Sequence, residues 1–312
     1  MGRFVARRFR RRWWMVSRHA ETLAALAEKT QLPYQNDVVK TIDGDDILLS
    51  WLEGDKNKPL LTLFHGLEGC AQSHTVSSIA NYFHSLKWTV AVPHFRSCGR
   101  MNRLPRAYHA ADGNEVEWML KYCNAAFPHT LSFAAGVSLG GNALIHGIRK
   151  DANLSAAAVV SAPLNLPDAA KQLSSGITHA IYGKYFVRLL TQKIRDKMKH
   201  YPALLNEKTI NKIHTIRDFD AAYTAPIHGF KNENDYWMKG SAVNALKNIN
   251  IPLICINALN DPLVPKNTLP DTANKNVVFC RPKYGGHGAF IGSPKNWLGI
   301  TIGEFFTDIS GQ

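Results

Sequence analysis

The sequence predicts an α/β fold with a mostly parallel central sheet, helices on both faces and an inserted helical cap. Three observations carry this. Apolar runs recur along the chain, PLLTLF (59–64), TVAVP (89–93), LSFAAGV (131–137), SAAAVV (155–160), PLICI (252–256) and NVVFC (276–280). Strands buried on both faces read this way, and helical stretches between them supply parallel crossovers. The alternation then stops from Leu164 to Asn250, where helical periodicity rich in Lys and Tyr replaces it. The chain has 312 residues, 45% of them hydrophobic, enough to bury a large core.

Each element has its own warrant. Residues 21–29 read as a short helix, and DVVKTIDGDDILLSWLE (37–53) alternates as two strands about Asp43-Gly44. Helical periodicity marks 73–86, 112–126, 139–149 and 294–309. The expected organisation is a basic arm over 1–20, a core over 21–163 and 251–312, and a cap over 164–250.

The formal charge is +13, and Arg3, Arg7, Arg8, Arg10, Arg11, Arg12 and Arg18 supply over half of it with no acid among residues 1–18. The body is only mildly basic, which argues against nucleic acid as its partner. RRFRRRWW interleaves cations with aromatics, a composition suited to an anionic membrane surface and also to nucleic acid. The plainer reading is a disordered or surface-packed arm, and deleting residues 1–18 is expected to leave hydrolysis of a short soluble ester nearly unchanged while weakening association with anionic vesicles. Five cysteines without a CxxC pair argue against a disulfide framework and a zinc site. No apolar run reaches the roughly 18 residues of a span, and the arginine-rich start lacks the apolar region of a secretory signal. The expectation is a cytoplasmic protein, peripheral to the inner membrane if the arm meets lipid.

Residues 136–140 read GVSLG, with Ser138 between a buried strand and a helix. This G-x-S-x-G context is that of a nucleophile elbow, where glycines two residues either side permit a turn too sharp for side chains. A hydroxyl is a weak nucleophile near neutral pH, so Ser138 needs a base, an acid to orient it and donors for an oxyanion. Asp261, in Asn260-Asp261-Pro262, ends the strand PLICINAL; alone it would read as an ordinary turn aspartate. His287, in Gly285-Gly286-His287-Gly288, follows NVVFCRP, and its position singles it out among 13 histidines. The order Ser, Asp, His along later strands matches the elbow scheme. Leu139 supplies one backbone donor; Leu67, in His65-Gly66-Leu67-Glu68-Gly69, is the other, unless its side chain merely plugs the pocket.

The chain resembles the YheT/EMB8 branch of the α/β-hydrolase superfamily, a group of carboxylic-ester hydrolases. The resemblance rests on FHGLEG (64–69), HFRSCG (94–99), NRLPRAYHAAD (102–112), GVSLGGN (136–142), VSAP (160–163), IRDFDAAYTAPIHGF (216–230), NDP (260–262) and GGHGAFIG (285–292), in that order. It implies a Ser–Asp–His triad falling on Ser138, Asp261 and His287, with no metal and no organic cofactor. Ser97 stands where that pattern leads one to expect glycine, and the arginine arm lies outside the resemblance.

The expected activity is cleavage of a small-molecule or lipid ester through an acyl-enzyme on Ser138. Two rivals stay open: an acyltransferase in which an alcohol replaces water, and a membrane- or nucleic-acid-associated protein without turnover. Arg96, Arg103, Arg106, Tyr108 and His109 either meet an acidic substrate group or tie their loop to the cap, the second being preferred. IRDFDAAYTAPIHGF is expected to shape the acyl pocket, with no direct chemistry from Asp218 or Asp220.

Overall fold

The computed structural model describes residues 4–25, 31–126, 131–148, 153–271 and 274–311. It opens with a two-residue strand, β1 (Arg10–Arg11), and a helix, α1 (Arg18–Ala24). An eight-stranded sheet follows: β2 (Gln35–Lys40), β3 (Asp46–Leu52), β4 (Leu60–Phe64), β5 (Thr89–Pro93), β6 (Ser132–Val137), β7 (Ala156–Val160), β8 (Leu253–Ile256) and β9 (Val277–Cys280). Its spatial order is β2-β3-β5-β4-β6-β7-β8-β9. The pairs β2–β3 and β3–β5 are antiparallel and the rest parallel. The hairpin turns at Gly44, whose φ of 76° suits a residue without a Cβ. The helices predicted over 21–29 and 139–149 end at Ala24 and Gly147, and 26–29 and 149 lie outside the described residues.

The two-residue period of a strand decides which side chains meet which helices. Leu61 and Leu63 of β4, with Phe133 and Ala135 of β6, face α2 (His74–Ser85) and the C-terminal helix Trp297–Ser310. There Phe306 packs on Phe133, Trp88 and Phe83 at centroid separations of 4.6, 6.4 and 5.9 Å. Leu60, Phe64 and Ala134 point the other way, onto Val116, Met119 and Leu120 of α3 (Gly113–Ala126) and Leu144 of α4 (Leu139–Gly147). Both faces are therefore covered, which is why the strands read as continuous apolar runs.

Between β7 and β8 the chain leaves the sheet and folds into helices, chief among them Leu166–Leu173, Lys184–Met198 and Glu233–Gly240. Their polar contacts reach the loops at the carboxyl ends of the strands. Asn142 donates to the Gly240 carbonyl at 2.7 Å and accepts from the Ala242 amide at 3.0 Å. Lys197 donates to Asn102 and to the Leu104 carbonyl, at 2.7 and 2.6 Å, and Tyr223 to the Pro105 carbonyl at 2.6 Å. Among the described residues no helix is long and apolar enough to cross a membrane.

The arm packs against the body. β1 pairs antiparallel with β10 (Gly292–Ser293). Phe9 meets Phe290 and Trp297 at 5.6 and 5.3 Å, Phe4 meets Phe305 edge-on at 5.4 Å, and the Trp297 indole donates to the Arg7 carbonyl at 2.7 Å. Counting charge hid the reason: the phenyl rings between the arginines share one side and bury against aromatics of the C-terminal region.

Candidate active site

Ser138 falls between the last residue of β6 and the first of α4, at φ 53° and ψ −125°. This backbone is sparsely populated for a residue with a Cβ and costs on the order of 1–3 kcal/mol. Missing Cβ atoms on both sides make the turn possible. A Cβ on Gly136 would lie 2.6 Å from the Gly140 carbonyl oxygen, and one on Gly140 would collide with the His65 carbonyl. Gly66 lies so close that its Cβ would stand 3.0 Å from that of Ser138. The reward is a hydroxyl held at the head of a helix and facing a cavity.

His287 completes the next link. Its Nε2 lies 2.9 Å from Ser138 Oγ, and its Nδ1 lies 2.9 and 3.1 Å from the two carboxylate oxygens of Asp261. Asp261 is buried, and its Oδ1 also accepts from the Leu263 and Val264 amides at 2.8 and 3.1 Å. An oxygen taking several donors suits the ionised carboxylate, which fixes the imidazole proton on Nδ1 and leaves Nε2 bare toward the serine. Residues 149 positions apart in sequence are thereby brought into one hydrogen-bonded line.

Leu67 and Leu139 line the same cavity as Ser138 and His287. Leu139 opens α4, where amides lack intrahelical partners and the helix dipole favours negative charge. Leu67 sits in a turn closed by the Gly69 amide on the Gly66 carbonyl at 3.0 Å, with Glu68 at φ 55°. That turn is braced beneath by His65, whose Nε2 accepts from the Phe95 amide at 3.1 Å while Nδ1 donates to the Gly66 carbonyl at 2.8 Å. Burial, and then the neighbouring His94, pushes the His65 pKa down to about 3, so the ring is a neutral strut.

Sequence reasoning missed two supports. Glu68 accepts from Tyr108 at 2.9 Å and pairs with Lys193 of the inserted helix at 2.8 Å, while its amide donates to Tyr108 at 2.8 Å. Glu68 and Tyr108 lie in segments already singled out, but nothing in the spacing pairs them. Glu21 and Thr22 of α1 reach the loop of His287, a contact some 260 residues distant in sequence.

Arg96 turns out to be structural and ties its loop to the entry hairpin and to α3 instead of the inserted helices. Its guanidinium meets Glu115, Asp45 and Asp43 at 2.7, 2.8 and 3.0 Å. Arg103 binds Asp46 at 3.1 Å and Arg106 binds Asp112 at 2.7 Å. The cavity above Ser138 measures about 130 Å³ and is mainly apolar, walled by Leu166, Leu173, Phe186, Leu190, Phe219 and Leu263 among others. Asp220 also faces it, its carboxyl pushed up to about 6 by burial and held by the Trp237 indole at 2.8 Å. Asp218 instead forms a capping box with Thr215.

No family model matches the chain. YheT of Escherichia coli (strain K12), named as an esterase, is 33% identical over 280 residues, 85% of this chain and 82% of that protein. Phospholipase ABHD3 of Homo sapiens is 26% identical over 85% of this chain and 69% of its own. Embryogenesis-associated protein EMB8 of Picea glauca is 26% identical over 92% of this chain and 68% of its own. Among solved structures, the Pyrococcus furiosus esterase Pf2001 superposes with a TM-score of 0.58 at 14% identity, covering 99% of both chains, a likeness of fold alone. Sheet order, elbow and a third of the residues shared with YheT along most of both chains lead to one conclusion: this chain belongs to the α/β-hydrolase family, in the branch of YheT and EMB8.

Proposed function

We propose that the protein is a serine hydrolase of carboxylic esters, with Ser138, His287 and Asp261 as its catalytic triad. The observation that carries this is the unbroken line from Ser138 Oγ through the imidazole to Asp261, opening into an apolar cavity. His287 Nε2 takes the hydroxyl proton as Oγ attacks the ester carbonyl, and Asp261 stabilises the imidazolium. The Leu67 and Leu139 amides receive the oxyanion. The imidazolium then protonates the leaving alcohol, and water, activated by the same ring, releases the acid. The apolar wall takes the acyl chain, in keeping with relatives named esterase and phospholipase.

An alcohol acceptor is the second reading. The relative that favours it is medium-chain fatty acid ethyl ester synthase/esterase 2 of Saccharomyces cerevisiae, 29% identical over 282 residues, whose name joins synthesis to hydrolysis. Product analysis with added alcohols separates the two. The five free thiols support a reducing, cytoplasmic location, and the arm supports a place peripheral to the inner membrane.

The test is an ester panel of graded acyl length on wild type and Ser138→Ala, with fluorophosphonate labelling alongside. Loss of a triad member costs several orders of magnitude in rate. Ser138→Ala keeping more than about a tenth of wild-type kcat overturns the assignment, since even one oxyanion donor is worth roughly a hundredfold.

A further inference from the structure

Residues 12–18, RWWMVSR, form a turn whose side chains divide between two directions. Met15 points inward, 1% exposed, in a cluster with Ala25, Ala289 and Ile291. Trp13 and Val16 point outward, 91% and 80% exposed, and Trp14 is about half exposed. The orientation is fixed from both ends, by β1 on one side and on the other by Ser17, whose hydroxyl caps α1 at 3.1 Å. Arg8, Arg10, Arg12 and Arg18 flank the indoles in sequence and are exposed, and no acid occurs in residues 1–18.

A fixed turn that leaves indoles and valine in water, with exposed arginines before and after it in sequence, fits a surface both anionic and apolar. Tryptophan prefers the headgroup level of a bilayer, and each nearby arginine adds attraction to anionic lipid. A nucleic acid would engage the arginines and stack on the indoles but offers nothing to Val16. We propose that this turn docks on an anionic lipid bilayer. Ala289 and Ile291, beneath Met15, lie two and four residues from His287, so docking sets the bilayer beside the catalytic loop. This deepens the esterase reading toward substrates drawn from a lipid surface, yet binding is measured without turnover, so either can fail alone.

The test compares full-length wild type with the Trp13→Ala, Trp14→Ala double variant in co-sedimentation with phosphatidylcholine vesicles, with and without about a third phosphatidylglycerol. Expected are pelleting with the anionic vesicles, its loss in high salt, and affinity at least about tenfold weaker in the variant. Hydrolysis of a short soluble ester should be equal in both. Equal pelleting of the two proteins overturns the proposal, as does no pelleting of wild type. It is overturned too if the substitutions abolish binding of a duplex oligonucleotide, or a self-association seen by light scattering, while vesicle binding stays as it was.

A separate set of hydrogen bonds carries a second inference. Glu21, 2% exposed, accepts from Arg11 at 3.0 Å, from Asn260 Nδ2 at 2.9 Å and from the Gly285 amide at 2.8 Å. Asn260 Oδ1 accepts from the Gly286 amide at 3.1 Å, and Thr22 Oγ1 from the His287 amide at 3.0 Å. Three successive amides leading into the imidazole are thus held by side chains, two of them on α1. Gly286 lacks a Cβ where one would stand 2.8 Å from Thr22 Oγ1. Because Asn260 adjoins Asp261, one carboxylate joins the loop of the acid to the loop of the base. We infer that Glu21 is a positioning residue that sets His287 against Asp261 and Ser138.

Expected for Glu21→Ala is a kcat per titrated active site lower by about tenfold to a hundredfold with KM little changed, as for lost transition-state geometry. Glu21→Gln should recover most of it, keeping one acceptor. Thr22→Val, close in shape, removes the acceptor for the His287 amide together with the hydroxyl's own bond to the Arg18 carbonyl within α1; it should fall in the same direction and decides the matter should Glu21→Ala not fold. Unchanged kcat per titrated site in the soluble variants, whatever their melting temperature, reduces Glu21 to a structural role and overturns the inference.

Discussion

Ser138 and Asp261 show how much a single residue's surroundings determine. The strain at Ser138 is tolerated because glycines at 66, 136 and 140 clear its neighbourhood, and because its amide donates to the Val160 carbonyl at 2.8 Å. Asp261 is anchored by two amides, so Asp261→Asn should keep its place but can present an NH₂ to Nδ1 and hold the wrong imidazole tautomer. We expect a kcat loss on the order of a thousandfold or more, smaller than for His287→Ala, in steady-state assays near neutral pH. A silent Asp261→Asn would mean the acid lies elsewhere. Asp220 gives a pH test. Burial raises its pKa from 3.8 to about 6 in the folded protein, so its contribution to stability is full below about pH 4 and lost as pH rises through 6. Asp220→Asn should therefore gain on wild type between pH 4 and 7.5, by at most about 3 kcal/mol at about 1.4 kcal/mol per unit. Denaturant melts at the two pH values check this, and a gap that does not move with pH refutes it.

At the scale of elements, the elbow is where helix propensity and packing conflict. Alanine ordinarily stabilises a helix by about 1 kcal/mol over glycine. At Gly140, however, the added Cβ meets the Phe64 carbonyl oxygen at 2.9 Å and runs into that of His65, and backbone cannot swing aside. Gly140→Ala should cost about 1–3 kcal/mol as overpacking does. It should also lower kcat/KM at least tenfold, because α4 and the Leu67 turn move apart; chemical denaturation and kinetics on the same preparation measure both, and an unaffected rate would show the two oxyanion amides to be independent of this contact. Such elements were legible where one local rule determined them: buried parallel strands, the elbow glycines, the Asp and His after successive strands. Ser97 was legible only as an oddity. Its φ of 63° accounts for the expected glycine, and its hydroxyl bonds to Asn102. Contacts between distant elements had no local signature. The pairing of β1 with β10, Glu21 beneath the His287 loop and Lys193 on Glu68 follow from folding the whole chain.

For the whole molecule, the buried histidines set the response to acid. Burial pushes His65 down to about 3, His94 and His109 to about 4 and His228 to about 2, so all four are neutral in the folded protein near neutral pH. Their pKa in the unfolded chain is near 6.5. Below that value the unfolded chain binds four protons that the native state refuses, and stability present above pH 6.5 is lost as pH falls. Each contributes a slope of about 1.4 kcal/mol per pH unit once fully engaged. Two carboxyls oppose this: Asp220, and Glu115, which burial and the nearby Asp112 raise, keep protons in the native state that the unfolded chain releases above about pH 4. Four against two leaves a net loss of roughly 2–3 kcal/mol per unit between pH 6 and 4.5. Below that, Asp43, lowered to about 2 with the hydroxyl of Thr41 and the guanidinium of Arg96 outweighing its burial, adds to the loss. At this chain length a change of 1 kcal/mol moves Tm by about 2 °C, so thermal melts should show a fall on the order of 10 °C between pH 6.5 and 4.5. His228→Gln, which removes one proton site from a ring tilted against His109 at a centroid separation of 4.3 Å, should flatten that dependence by about a quarter of the histidine slope. A Tm that stays level across the window would mean that these imidazoles accept protons in the folded protein, and that the tight loops around His65 and His94 do not hold them neutral.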